Sequence, residues 1–273
     1  MEEREDKAAA EPAETVTRHR LSTRIWHWVN ALTMFVMLMS GLMIFNAHPR
    51  LYWGQYGANA DHAWLEIGST RDSGYLRIGS LRVPTTGVLG YRTDWGGTAR
   101  RYAFPSWATI PSGYSLASGR RWHLAFAWVL VIGLIAYWIA IFANRHWRGL
   151  LPHRAELKPR HLWREVADHA RLRFAKGAEA LHYNTLQKLS YAFILFITLP
   201  MVILTGLTMS PGMNAGWSWL LDLFGGRQSA RSIHFICAFA LLGFILVHLI
   251  MVALTGPLRQ IGAMITGRWR VEK

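Results

Sequence analysis

Cysteine is nearly absent. Cys237 is the one thiol in 273 residues, which excludes an internal disulfide framework and any paired-cysteine attachment of a prosthetic group. Acidic residues are also few, 16 against 30 Lys and Arg, for a formal charge of +14. Such a balance ordinarily suggests nucleic acid, but the basic residues here flank long apolar runs, where membrane topology explains them better, and no nucleic-acid partner is expected. A cleavable signal is missing: residues 1–17 alternate acidic and small side chains (Glu2, Glu3, Asp6, Glu11, Glu14), and the first apolar run is too long for an h-region. That run therefore reads as a retained anchor. Neither an internal repeat nor a low-complexity segment is visible beyond the acidic tail, which reads as disordered.

What the chain has is apolar length. Four runs, approximately residues 25–45, 122–142, 189–209 and 232–254, each approach the ~20 residues of a spanning helix. The expected fold is an all-α membrane protein, a four-transmembrane-helix bundle forming one domain over 24–273 behind a tail, 1–23. Ten Lys and Arg lie in the connection 143–188, whereas the connection 210–231 has only Arg227 and Arg231. The positive-inside rule then puts the middle connection and both termini in the cytoplasm. The first connection, 46–119, is rich in Gly, Pro, Ser, Thr and Arg, and Tyr75–Gly79 with Ser80–Val83 could pair as a hairpin. A loop of that length is expected to be a partly ordered periplasmic cap, either a docking surface or merely solvated. Across the membrane, Leu162, Trp163, Val166 and Ala170 recur at helical spacing opposite basic residues, the pattern of a helix lying in the interface.

Four histidines sit in the spans. His234 and His248 are fourteen residues apart, nearly on one helical face and separated by roughly 21 Å along the axis, within a hydrocarbon core about 30 Å thick. With the N-terminus inside, depth pairs His27 with His248 near the cytoplasmic face and His123 with His234 near the periplasmic face. Ionisable groups at such depth are costly and point to function. Two bis-imidazole sites for two non-covalent haem b groups follow, with His27, His248, His123 and His234 as iron ligands. Both axial positions being filled, the expected task is electron transfer rather than oxygen chemistry. The other histidines, His19, His146, His153, His161, His169 and His182 in polar cytoplasmic stretches and His48 and His62 in the outer loop, read as solvated, and none has the tight spacing of a zinc site. Arg24, Arg120, Arg121 and Arg231 beside the ligands either pair with haem propionates or snorkel to headgroups. Gly41, fourteen residues beyond His27, either admits a porphyrin edge or serves helix packing.

These residues resemble the diheme cytochrome b subunits of bacterial nickel–iron hydrogenases, formate dehydrogenases and thiosulfate reductases. The likeness is carried by Arg24-Ile-Trp-His27, His123 and the His234/His248 pair, and it covers all four spans. It implies an inner-membrane four-helix bundle with two b haems, moving electrons between the quinone pool and a redox partner, a molybdopterin or iron–sulfur oxidoreductase subunit. The chain would be a subunit of an oxidoreductase complex with no catalytic residues of its own apart from reaction with quinone. Tyr183-Asn-Thr-Leu-Gln-Lys188 is similar to a stretch of the formate dehydrogenase-like members that lends an asparagine to the quinone pocket, which would be Asn184. Asn184 also suits a helix N-cap, and the two roles are compatible. The long outer loop and enlarged middle connection depart from the family, and this extended plan more narrowly resembles cytochrome b proteins serving periplasmic molybdopterin oxidoreductases of the sulfite oxidase type. Two other functions stay open: a stand-alone superoxide:quinone oxidoreductase, and a haem-free membrane anchor for a periplasmic enzyme.

Overall fold

The computed structural model describes residues 15–94, 96–173 and 183–270. The acidic tail up to residue 14, and Lys176 and His182 of the middle connection, lie outside the described residues. Four helices are long and apolar enough to cross a membrane: Leu21–Phe45, Leu116–Ala143, Thr185–Met209 and Arg227–Leu254. We number them as spans one to four. Each begins four to six residues before its apolar run, because hydropathy registers the lipid-facing length while the helix extends into polar sequence. Caps mark two of these polar starts. Ser115 accepts a hydrogen bond from the Ser118 amide, and Asn184 forms a capping box with Gln187.

Span one packs along span two, and span three along span four. Met34, Leu130, Leu134, Tyr137, Ile141, Leu195, Leu199, Val202 and Leu241 form the interior between them. Apolar side chains also face outward, among them Ile132, Ile139, Leu246 and Val247. Helices that are apolar all round suit a lipid surround. Span three contains a π-helical turn at Ile194–Thr198. Pro200 explains its position: the ring nitrogen has no N–H to return to the Phe196 carbonyl, and a widened turn absorbs the misfit. That extra residue resets the face presented by the second half of the span.

Between spans one and two the chain builds a small antiparallel sheet, order β2-β3-β4-β5, from Arg50–Leu51, Leu65–Ser69, Gly74–Ile78 and Leu81–Pro84. The last two strands form the hairpin anticipated from Tyr75–Val83, pairing Ile78 with Leu81 and Tyr75 with Pro84. Under the sheet, Phe45, Leu51, Leu65, Ile67, Ala103 and Phe104 make a second core. This cap is fixed to the start of span four. The Gly54 carbonyl accepts from the Gln228 and Ser229 amides, two of the donors that a helix N-terminus leaves unpaired. Gly54 N donates to Ser229 Oγ at 2.7 Å, and Trp64 Nε1 donates to Ser232 Oγ at 2.9 Å. Gly226, at φ 108°, lies so close to the Gly54 carbonyl that a Cβ would stand 2.6 Å from it. Only glycine fits there. At the opposite end, Thr15–Thr17 (β1) pairs with Arg268–Arg270, tying the two chain ends together where the sequence suggested a loose tail. Trp269 is buried there, with the Arg18 guanidinium 4.0 Å from its ring centre and that of Arg259 4.6 Å away.

Glu66 holds the cap sheet. Its carboxylate is 6% exposed and lies 2.7 Å from Arg50 and 2.5 Å from Arg77, with the Tyr75 hydroxyl donating at 3.1 Å. Burial alone would raise its pKa, but the hydrogen bonds from Arg77, Tyr75 and Arg50 outweigh burial and hold it below the ordinary 4.5. A depressed folded pKa contributes stability that is present above 4.5 and lost as pH falls through the folded value. Glu66→Ala is expected to loosen the cap by about 3 kcal/mol, since it strands two arginines of a buried cluster. Hydrogen exchange at the Leu65–Ile78 amides checks this: protection should drop in the variant at neutral pH, and in the parent only in acid.

Candidate functional site

One cavity of about 3040 Å³ runs through the bundle and is lined by all four span histidines. Ligand pockets are usually about 300–1,000 Å³, so this one has room for more than one large planar group. The His27 and His248 rings face each other with centroids 6.3 Å apart, and those of His123 and His234 lie 6.2 Å apart, each pair tilted by 60°. Imidazole nitrogens bind first-row metals at about 2.0–2.1 Å, and with roughly 1.1 Å from nitrogen to ring centre, two rings trans on one metal have centroids about 6.3 Å apart. Both pairs meet that spacing. Among the described residues no group of three or more His, Cys, Asp or Glu assembles as a metal cage; each histidine pair offers two imidazole nitrogens, the donor set that a haem b would take from the protein. The residues fit a haem at each level.

At the cap-side pair the ring orientations are fixed by hydroxyls. Ser40 Oγ donates to the Val36 carbonyl at 2.6 Å, so its lone pair receives the Nδ1–H of His123 at 3.1 Å. Thr205 Oγ1 likewise donates to the Met201 carbonyl at 2.7 Å and receives Nδ1–H of His234 at 3.1 Å. Each imidazole is thereby a Nδ1–H tautomer with its Nε2 lone pair available to a metal. The following residue is glycine in both cases. A Cβ on Gly41 would stand 3.5 Å from His123 Cε1, and one on Gly206 3.4 Å from His234 Cε1. Hydroxyl then glycine on the odd span, histidine on the even span, is a repeat that the sequence reading did not find. Ser40-Gly41 and Thr205-Gly206 were its signal. At the termini-side pair, His27 Nδ1 is buried without a hydrogen-bond partner, and Phe244 stacks on His248 at 5.9 Å and 15°.

The arginines divide. Arg120 and Arg231 line the cavity, and Arg231 also donates to the His48 carbonyl. Arg24 instead donates to the Ile265 carbonyl beside the joined chain ends, and Arg121 to Ser118 Oγ at 3.1 Å. Neither lines the cavity. Asn184 does line it; its Oδ1 accepts from the Gln187 amide at 2.9 Å while its Nδ2 donates to His169 Nε2 at 3.3 Å. An amide nitrogen has two hydrogens, so one donor is left to meet a ligand.

One histidine read as solvated, His19, is buried, and three others border the cavity. His19 is buried, 8% exposed, and burial together with the Arg18 charge pushes its pKa down to about 4. His48, His161 and His169 line the cavity. Polar neighbours in sequence suggested water, but the joined chain ends, the cap and the 159–170 helix fold these rings over the bundle. Arg18 and Arg259 also reach the cavity, through a strand pairing between residues about 250 apart that no local pattern announces.

Replacing Thr205 by Val, or Ser40 by Ala, removes the acceptor for a buried Nδ1–H. Each is expected to weaken iron-porphyrin binding at the cap-side pair by about 10–100-fold, the usual cost of losing a ligand's supporting hydrogen bond. Titrating apoprotein with hemin checks it, the His27/His248 level serving as the internal control.

Comparison with known proteins bears on the same region. A relative from Azospira oryzae, named "Putative protein-methionine-sulfoxide reductase subunit YedZ1", is 33% identical over 159 residues, 58% of this chain and 75% of that one. Another, "Probable Ni/Fe-hydrogenase B-type cytochrome subunit" of Cupriavidus necator, is 24% identical over 237 residues, 82% of this chain and 73% of that one. No solved structure matches. The family model described as prokaryotic cytochrome b561 matches residues 18–267, which take in all four spans and the cap, and the chain belongs to that family of membrane b-type cytochromes.

Proposed function

We propose that this cytochrome binds two b haems, one at His27 and His248 and one at His123 and His234, and carries electrons between the quinone pool and a redox partner enzyme. The observation that carries the reading is the pair of facing imidazoles at each of two levels, at the spacing of a shared metal, opening on one cavity. Bound there, haem supplies reversible one-electron transfer. His27 with His248, and His123 with His234, would hold the two haems, and with protein ligands filling these positions the chemistry supplied would be electron transfer rather than oxygen binding. Ser40 and Thr205 orient two of the four ligands, Gly41 and Gly206 admit the ring edges, and Arg120 and Arg231 offer cationic partners to propionates. Arg24 and Arg121, engaged elsewhere, anchor the helix ends.

Quinone reacts at the termini side, where Asn184 presents an amide donor to a carbonyl oxygen. The positive-inside rule makes that side cytoplasmic and the membrane the bacterial inner membrane. Exposed Trp163 and the arginines of the 159–170 helix set it at the lipid headgroups. The partner docks on the other face, over the β2–β5 cap, which is tied directly to the helix bearing His234. Both relatives carry the names of redox-enzyme subunits, one of a protein-methionine-sulfoxide reductase and one of a Ni/Fe-hydrogenase. A molybdopterin enzyme in the periplasm suits the enlarged cap.

Protein purified from haem-replete cells should carry two haems per chain by pyridine haemochrome assay. His248→Ala is expected to lose the termini-side haem and all reduction by quinol, and His123→Ala the cap-side haem only. Loss of the same centre from both variants would contradict the pairing; a colourless parent preparation would leave only an anchor.

A further inference from the structure

The 159–170 helix turns three titratable side chains, His161, Glu165 and His169, onto one stripe at intervals of four residues, and all three line the cavity. Trp163, Arg164 and Ala170 are exposed and do not line it. The stripe runs from solvent inward. His161 is 38% exposed, and its Nε2 stands 2.9 Å from Thr185 Oγ1 and 3.5 Å from Glu165 Oε1. Thr185 is buried, with its hydroxyl 3.5 Å from the same carboxylate oxygen. Glu165 Oε2 is buried without a hydrogen-bond partner. His169 donates from Nδ1 to the Glu165 carbonyl at 2.8 Å, so Nε2 is the nitrogen that accepts from Asn184. An unpaired buried carboxylate oxygen is costly, and such positions call for an explanation.

We infer that His161, Thr185, Glu165 and His169 form a proton port serving a quinone held at Asn184. The inference rests on the quinone site proposed above and adds to it the groups that move protons. Oxidation of a quinol to quinone breaks two O–H bonds and releases two electrons and two protons. The electrons enter the cytochrome one at a time. One proton passes to the Glu165 carboxylate and leaves along Thr185 and His161 to water; the other takes the place of the Asn184 amide hydrogen at His169 Nε2 and is released from there to water before the next quinol binds. Quinone reduction runs the same transfers backwards. Arg18, Asp168, Arg173 and Tyr183 and the ion pair of Glu156 with Lys188 (2.7 Å) also border this end of the cavity, and none of them joins the stripe.

The test follows absorbance of the haem α-band in stopped flow, with decylubiquinol and menadiol as reductants of the intact cytochrome. Glu165→Gln should slow reduction by quinol roughly 10²-fold, the lower end of what a positioned acid or base contributes, while Glu165→Asp recovers most of the rate. Haem content, rapid reduction by dithionite and tryptophan quenching by the bound quinone should stay as in the parent, which a structural defect would not allow. His169→Gln should slow reduction under the same controls. Parent-like rates in both Glu165→Gln and His169→Gln would overturn the port and leave the quinone site standing. A parent protein that neither quinol reduces would overturn the site and the port together.

Discussion

This bundle depends on placing four imidazoles inside apolar helices, which it does on the cap side with both Nδ1 atoms paired and on the termini side with His27 Nδ1 buried and unpaired. A buried polar group lacking a partner costs about 1–3 kcal/mol, and four occur here at two depths. On the cap side the cost is met on one edge of each ring by a hydroxyl that has already spent its own hydrogen on the helix backbone. The opposite edge is turned to the facing histidine's level. Two consequences follow. The ring tautomer is set before any metal arrives, and the glycine after each hydroxyl lies beside the ring, where a Cβ would stand in van der Waals contact with Cε1. Organisation of this kind suits a centre that changes its electron count without rearranging ligands.

The parts outside the spans serve the same end. The cap closes over the helix bearing His234 and lends Gly54 and Tyr52 to its first turn. The joined chain ends close the other side, where Arg18, Trp269 and Arg259 stack. A cytochrome b561 fold thus acquires two different mouths, one faced with a small β-sheet and one with a titratable helix face. That asymmetry fits a protein whose two redox exchanges involve unlike partners, a protein on one side and a proton-coupled lipid-soluble carrier on the other.

Much of this was legible in the sequence, for physical reasons that differ by element. Apolar length revealed the spans because the bilayer fixes how many residues must be apolar. Helix rise and chain direction suggested pairing His27 with His248 and His123 with His234, and those are the rings that lie beside each other. The β4–β5 hairpin was visible as alternation between turn residues. What could not be read were contacts made across distance. Polar context made His19 look solvated, yet tertiary packing buries it, and His169 is half-buried against the cavity. Arg24 and Arg121 neighbour the ligands in sequence, but helical geometry and the pairing of β1 with Arg268–Arg270 send their guanidinium groups elsewhere. Thr205 and Gly206 passed unnoticed because the π turn ahead of them shifts the helical register, so simple spacing from Asn184 does not find their face.

The central claim is that two irons are each held by two imidazoles. Electron paramagnetic resonance of the fully oxidised, purified protein tests it most directly. Two distinct low-spin ferric haem signals, with no high-spin component, are predicted. A high-spin signal of comparable intensity, or a single low-spin species accounting for all the iron, would contradict it.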